Sequence, residues 1–319
     1  MPEHERPGPT AVDDWFARRT LAATEHDPAE LAARKDGLRV AAVLPARDEE
    51  ATVGDIVRAL GAGPLDRHGL LDEIVVVDSH SRDATADVAA AAGARVVRCT
   101  ADPQDGKGGA IRSGLAGTDA DLVVFLDADV ESFREGYVTG LLAPLLDDPT
   151  LALAKAFYDR PFRPEAARGV GDGASGGQRA NGGGRVTELV ARPSIAERAP
   201  ELAGFAQPLA GEYAVRRRAV AGQPVVSGYG VDLGHLLLTW RAHGLDAMCQ
   251  VDLGHRTHRH HDLDALGRMA AQVRAAFLLC LDGQREVRTS HTRFARDAQD
   301  RLVRTRETVT TRLLAPVGR

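Results

Sequence analysis

Four short strand-like runs, three of them strongly apolar and Ala94–Cys99 less so, each broken off by polar side chains, constrain this chain more than any other feature. They are Val40–Leu44, Glu73–Val77, Ala94–Cys99 and Asp121–Leu126. Between them stand stretches with helical spacing: Thr52–Leu60, Ala84–Ala92, and a segment that ends near Gly117. Runs of strand length that stay apolar at successive positions suit strands buried on both faces, and strands separated by helices form parallel sheets. Ser81, Arg82 and Asp83 add capping groups in front of the second helix. The expected class is α/β, with a Rossmann-like, doubly wound nucleotide-binding half over residues 39–157.

The rest of the chain changes character. Residues 1–38 read as an N-terminal arm, helical over Ala11–Arg34. Residues 158–283 read as an appended α/β half that binds the second substrate. Phe157–Phe162 leaves another strand there, and Gly169–Gly184 is too rich in Gly, Asp, Ser and Asn to pack a core. A loop of that length in a compact domain is functional or disordered. Tyr229–Trp240 then reads as a helix, Met248–Leu253 as a strand and Leu263–Leu281 as a long amphipathic helix. The Arg-rich tail, residues 284–319, has helical spacing in places and is expected to be a solvated or dimer-packing helix.

Composition removes several classes of function. Among 319 residues, 40 Lys and Arg face 45 Asp and Glu for a formal charge of -5, which argues against nucleic acid or a membrane surface as partner. The longest apolar stretches, Ile74–Val77, Leu122–Leu126 and Ala275–Leu281, fall far below the ~18 residues that span a bilayer. Met1–Thr10 has no apolar segment of the signal-peptide kind. Cys99, Cys249 and Cys280 are scattered without CxxC spacing, so neither a disulfide framework nor a Cys zinc site is indicated. The expectation is a cytosolic protein.

In open parallel sheets, ligands bind beyond the carboxyl ends of the strands. The first run leads into Pro45-Ala46-Arg47-Asp48-Glu49-Glu50, which is not the GxGxxG of a nicotinamide or flavin enzyme. The second ends in Asp78-Ser79. Gly106-Lys107 looks like the end of a P-loop, but Gly108 stands where Ser or Thr must hold magnesium, so a P-loop NTPase is excluded. Lys107 stands out because the chain has only two other lysines, Lys35 and Lys155. After the fourth run comes Asp127-Ala128-Asp129, a pair of carboxylates suited to one Mg²⁺ or Mn²⁺ bridging two phosphates. On its own such a triplet also fits helix capping, and aspartyl-nucleophile phosphatases carry one at their first strand. Its place on the fourth strand, after Leu-Pro-Ala-x-Asp-Glu-Glu on the first, favours a sugar-nucleotide site. His255, His258, His260 and His261 lack a Cys or Glu at metal spacing, so they do not make a structural zinc site. One of them completing a metal sphere begun by Asp129 is better supported.

Together these residues resemble glycosyltransferases with the GT-A fold, and more closely the actinobacterial glucosyl-3-phosphoglycerate synthases of family GT81. The resemblance runs from about Val40 to Leu266 and is strongest at Val43–Ala46, Val77–Ser79, Gly106–Gly108, Phe125–Asp129, Gly182–Pro193, Gln207–Ala214 and Gly228–Val231. It implies that Pro45, Ala46, Arg47, Glu49, Ser79 and Lys107 surround the donor nucleotide, with Asp127 and Ala128 beside them. It implies Asp129 and His258 as metal ligands, and Gly184, Arg185 and Thr187 as a phosphoglycerate clamp. Tyr229, Asp232, Arg256 and His260 fall where the family contacts the sugar or the acceptor, and Asp129, Lys107, Asp232 and Arg256 form the expected catalytic set. Two positions depart from the mycobacterial pattern, which has Glu where Asp232 stands and Asn where His260 stands.

The implied activity is metal-dependent, retaining transfer of a hexose, glucose first, from a nucleoside diphosphate sugar such as UDP-glucose to the 2-hydroxyl of 3-phosphoglycerate. A homodimer is also implied. Alternatives at this point are another donor, such as GDP-mannose or GDP-glucose, and another phosphorylated or carboxylated acceptor. A sugar-phosphate nucleotidyltransferase would want a Gly-rich, Arg-containing loop after the first strand, and Pro45–Glu50 has none. A non-catalytic sugar-nucleotide-binding relative fits less well with Lys107, Asp129, Arg185 and His258 all present.

Overall fold

The computed structural model describes residues 9–22, 26–62, 64–130, 133–159, 184–255 and 263–318. Eight strands form its main sheet, in the order β1 (Thr20–Ala22), β9 (Met248–His255), β6 (Leu153–Asp159), β7 (Tyr213–Arg216), β5 (Leu122–Phe125), β2 (Val40–Ala46), β3 (Glu73–Asp78) and β4 (Arg95–Arg98). The four runs read from the sequence are β2 to β5, and they pair in parallel. Alternate residues of β2 feed different cores: Val40, Ala42 and Leu44 pack on one face of the sheet, Ala41 and Val43 on the other. A strand covered on both sides has no solvated face to mark, hence its unbroken apolar sequence.

One strand breaks the parallel pattern. β7 lies between β5 and β6 and runs antiparallel to both. Its residues, Tyr213 to Arg216, are all buried. β6 and β9 then continue the sheet in parallel, and β1 closes its edge against β9.

The N-terminal arm differs from the single helix expected. A helix over Pro9–Arg19 is followed by β1 and then by a second helix over Pro28–Ala33. Asp27 caps that second helix by accepting from the Ala29 N–H at 2.9 Å, with Pro28 at its first position. The arm is tied down by Trp15, which is buried against Phe205 and donates to the main-chain oxygen of Met248 at 3.2 Å.

The tail is not a helix. Glu286–Arg296 (β10) and Leu302–Leu314 (β11) form an antiparallel ribbon, paired from Glu286↔Arg312 to Arg296↔Leu302. Along β10, Val287, Thr289, His291 and Arg293 are half-buried and the residues between them are exposed. This two-residue period, rich in Thr and Val, outweighs the accidental helical spacing of the arginines. Asp297 shapes the turn by accepting from the Gln299 and Arg301 N–H groups. At its far end β11 pairs with β8 (Val225–Val226), which brings the ribbon against the body of the molecule.

Candidate active site

Beyond the carboxyl ends of β2, β3 and β5 opens a cleft of about 630 Å³. Its first wall is the loop after β2. There Asp48 takes a left-handed φ of 57° and accepts from the Arg82 N–H at 2.7 Å, while the Glu49 N–H donates to Thr85 Oγ1 at 2.8 Å. These bonds knit the first two strand-end loops together and present Pro45, Ala46, Arg47, Glu49 and Ser79 to the cleft. Thr52 extends the same lattice: its hydroxyl donates to the Ala128 oxygen at 2.7 Å, which fixes the Asp127–Asp129 turn relative to the first loop.

Lys107 and the carboxylates form the floor. Lys107 lies in the first turn of the helix Gly106–Ala116, where Gly106 takes a φ of 50°. Its ammonium sits 2.7 Å from Asp127 Oδ1 and 3.0 Å from Asp232 Oδ2. Burial works against the charge on Lys107, but Asp127 and Asp232 outweigh it and hold its pKa well above the ordinary lysine value. Burial raises the Asp232 carboxyl, and Asp127 adds to the rise while Lys107 and Lys155 oppose it. Asp232 is 5% exposed, and its second oxygen, Oδ1, has no hydrogen-bond partner among the described residues. Asp127 approaches the backbone so closely that a Cβ on Gly211 would lie 2.2 Å from its Oδ2, which explains a glycine at that point of β7's approach.

Behind the floor is a buried polar layer that sequence reasoning missed. Lys155, on β6, is fully buried; its ammonium donates to the main-chain oxygen of Asp232 at 2.9 Å and lies 4.5 Å from the centre of the Tyr213 ring. Burial, aided by the Lys107 charge and opposed by Asp232, lowers it to about 8. The Tyr213 hydroxyl in turn lies 2.8 Å from His235 Nδ1. A lone lysine inside the apolar run Leu151–Tyr158 is the sequence signal that marks this layer.

The opposite wall begins at Gly184, where a helix starts with the Glu188 N–H donating to the Gly184 oxygen at 2.9 Å. Arg185 is exposed on its first turn, and Thr187 is buried at the head of a wide, π-type turn over Thr187–Ala191. Such turns are frequent at functional sites. Tyr229 and Asp232 come from the start of the helix Val231–His243, and the Tyr229 N–H is held by Gln272 Oε1 at 3.0 Å. Gln272, Arg268 and Met269 line the cleft from the helix Leu263–Cys280, and Glu307 does so from the ribbon. None of these four is evident in the sequence, because a long helix and an outlying strand give no local sign of what they face.

Every expected site residue within the described residues therefore borders this one cleft: Pro45, Ala46, Arg47, Glu49, Ser79, Lys107, Asp127, Ala128, Asp129, Gly184, Arg185, Thr187, Tyr229 and Asp232. Arg256, His258 and His260 lie outside the described residues, as does most of the Gly169–Gly184 run. Among the described residues no group of three or more His, Cys, Asp and Glu is placed to hold a metal by itself, and no helix is long and apolar enough to cross a membrane.

Comparison with known proteins agrees with this geometry. The model of glycosyl transferase family 2 matches residues 41–195. Glucosyl-3-phosphoglycerate synthase of Mycolicibacterium paratuberculosis is 45% identical over 278 residues, covering 86% of this chain and 80% of that protein. The Mycolicibacterium smegmatis enzyme of the same name is 43% identical over 90% of this chain and 91% of its own. Among solved structures, mannosyl-3-phosphoglycerate synthase from Rubrobacter xylanophilus superposes with a TM-score of 0.81 at 35% identity, over 96% of this chain and 98% of that chain. Glucosyl-3-phosphoglycerate synthase from Mycobacterium tuberculosis in complex with Mn²⁺ and UDP-glucose gives 0.76 at 37% identity, over 94% of this chain and 97% of that chain. With the sheet, the strand-end cleft and these likenesses in agreement, the chain is a GT-A glycosyltransferase and belongs to the glucosyl-3-phosphoglycerate synthase family.

Proposed function

We propose that this chain transfers glucose from a nucleoside diphosphate glucose, UDP-glucose first, to the 2-hydroxyl of 3-phosphoglycerate, with retention at the anomeric carbon. The observation that carries the reading is the position of Lys107. Its charge stands between Asp127 and Asp232 in the same cleft as Asp129, opposite the helix start that bears Arg185. Relatives named for this reaction, and M. tuberculosis structures with Mn²⁺, UDP-glucose and phosphoglyceric acid, support it.

The reaction breaks the bond from the anomeric carbon to the diphosphate oxygen and forms a bond from that carbon to the acceptor oxygen on the same face. The acceptor proton goes to the departing phosphate oxygen. Lys107 supplies a fixed positive charge to the leaving group, and such preorganised charge is a large part of catalysis by electrostatics. Arg185, Thr187 and the N–H groups of the helix start grip the acceptor phosphate, and the resulting alignment lowers the barrier by fixing the attack geometry. Asp232 Oδ1, buried and without a hydrogen-bond partner among the described residues, is left to accept from a sugar hydroxyl.

The carboxylates here are hard oxygen donors, and magnesium or manganese is commonly held by one or two such groups with substrate phosphates completing the sphere. Asp129 would hold the ion, with His258 as the second protein ligand and Asp127 beside them. The ion would add Lewis-acid charge opposite the diphosphate. Two copies are expected to pair, a reading supported by Phe294, Leu302 and Val303, which are exposed on the ribbon. Sedimentation at micromolar concentration tests it.

A second reading concerns the donor alone. Asp232 is one methylene shorter than the Glu of the mycobacterial pattern, and the structure turns its Oδ2 toward Lys107. A related structure is a mannosyl-3-phosphoglycerate synthase. Both bear on the sugar and favour a mannose donor as competitor to glucose, with GDP-mannose and GDP-glucose the alternative donors to set against UDP-glucose. Mass spectrometry of products from UDP-glucose, GDP-glucose, GDP-mannose and UDP-galactose, each with Mg²⁺ and 3-phosphoglycerate, decides between the readings. Formation of no glycosyl phosphoglycerate from any donor would overturn both. Repeating the competition with Asp232→Glu/His260→Asn shows whether these two positions set the ranking.

A further inference from the structure

One residue of the C-terminal ribbon touches both loops that build the floor of the cleft. Through its main chain, Arg312 exchanges two bonds with Ser227: its N–H donates to Ser227 Oγ and its oxygen accepts from the Ser227 N–H, each at 2.9 Å. Through its side chain it grips Asp105, with Nε 2.8 Å from Oδ1 and Nη2 3.0 Å from Oδ2. Ser227 immediately precedes Gly228 and Tyr229, and Asp105 immediately precedes Gly106 and Lys107.

Asp105 occupies the N-cap position of the helix Gly106–Ala116, yet its side chain makes no capping bond. It is 4% exposed and is turned to the ribbon instead. A buried carboxylate held by a two-pronged guanidinium is both strong and directional. The two loops are also in backbone contact: a Cβ on Gly108 would lie 2.1 Å from the Val226 oxygen. The loops meet again where a Cβ on Gly106 would lie 3.6 Å from the Gly228 Cα and where Lys107 reaches Asp232.

We propose that Arg312 is a positioning residue of the active site, clasping the Asp105–Lys107 turn to the Ser227–Asp232 segment, and that the ribbon carrying it is a working part of the enzyme. It touches neither donor nor acceptor; it acts through Lys107 and Asp232. The kinetic part of this proposal rests on the reading of Lys107 as a donor-phosphate residue.

Arg312→Met and Asp105→Asn weaken the clasp from its two sides, Arg312→Lys keeps the charge without the fork, and Arg304→Met, on the exposed part of the same strand, is the control. Hydrogen exchange over residues 103–110 is expected to speed up about tenfold or more in Arg312→Met and Asp105→Asn, with β2 and β3 unchanged. Because small misplacements of reacting groups are costly, kcat should fall on the order of tenfold to a hundredfold. The acceptor KM should stay near that of the parent, Arg312→Lys should recover part of the loss, and Arg304→Met should match the parent. Unchanged exchange in both variants would overturn the clasp, and faster exchange with parental kcat would overturn its role in catalysis. A parent chain that turned over no sugar nucleotide would refute the donor reading instead, and exchange would still decide the clasp.

Discussion

The Lys107 ammonium lies 3.0 Å from Asp232 Oδ2, so the helix that begins at Gly106 and the helix that begins at Val231 meet through one ion pair on the floor of the cleft. Since Lys107 also holds Asp127, its removal leaves two carboxylates facing one another. We expect Lys107→Met to lower kcat by about 10²–10³-fold, as loss of a preorganised transition-state charge does. Groups that act as a unit are not additive. The double variant Lys107→Met/Asp232→Asn should therefore fall about as far as the worse single one, and steady-state kinetics with full additivity would separate the two residues.

Asp129 is expected to carry the dependence on divalent metal. Asp129→Ala and His258→Ala should each abolish turnover while leaving the circular dichroism spectrum and melting temperature close to those of the parent. Titration calorimetry with a nucleotide sugar, with and without EDTA, reads the binding step. Donor affinity in the parent that does not change on chelation would remove the metal from donor binding.

Arg185 is expected to act on the acceptor and not on the donor. A charge-assisted hydrogen bond is worth roughly 1.5–3 kcal/mol, so Arg185→Ala should raise the KM for 3-phosphoglycerate by about tenfold or more. The donor KM should stay within about twofold. Equal use of 3-phosphoglycerate by variant and parent would place the clamp elsewhere.

His235 gives the fold an acid sensitivity of its own. Burial, aided by the Lys155 and Lys107 charges, lowers its pKa from 6.5 to about 3. The unfolded chain takes up this proton first as pH falls, so the contribution of neutral His235 is fully present above about 6.5 and is lost on the way down to about 3. Between pH 6.5 and 4.5 that amounts to about 2–3 kcal/mol. Urea midpoints should fall more steeply with acid for the parent than for His235→Gln, which keeps a hydrogen-bonding group toward Tyr213. Parallel curves would show that the histidine is not the sensor.

Much of the cleft was legible in the sequence because its residues sit at strand ends. Pro45, Ser79 and Asp127 each follow an apolar run, and an open parallel sheet gathers such positions at one edge. Arg185 and Thr187 were legible only through the family resemblance of Gly182–Pro193, since the Gly-rich stretch before them reads by itself as no more than a loop. What escaped depends on contacts between distant segments. Asp105 looks like an ordinary cap, and only the fold turns it toward Arg312. Gln272 and Glu307 belong to elements whose direction is set by packing. Tyr213–Arg216 is a strand of four residues ending in arginine, too short for its period to be read. The ribbon escaped because regularly spaced arginines imitate a helix, while its alternation of Thr and Val carries the stronger signal.

The antiparallel strand β7 has a consequence for how the protein is made. It enters the sheet between β5 and β6 although it is synthesised long after both. Until Tyr213–Arg216 leaves the ribosome, β5 has an open edge and β6 lacks both of its neighbours, since β9 follows later still. Open edges invite pairing with other chains, and long-range closures are slow. A nascent chain halted before residue 213 should therefore be aggregation-prone, and so should residues 39–157 expressed alone. The late strand acts as a keystone: the parallel strands β2 to β5 reach their native sheet only when the later segment that bears Arg185 and Asp232 is there to complete it.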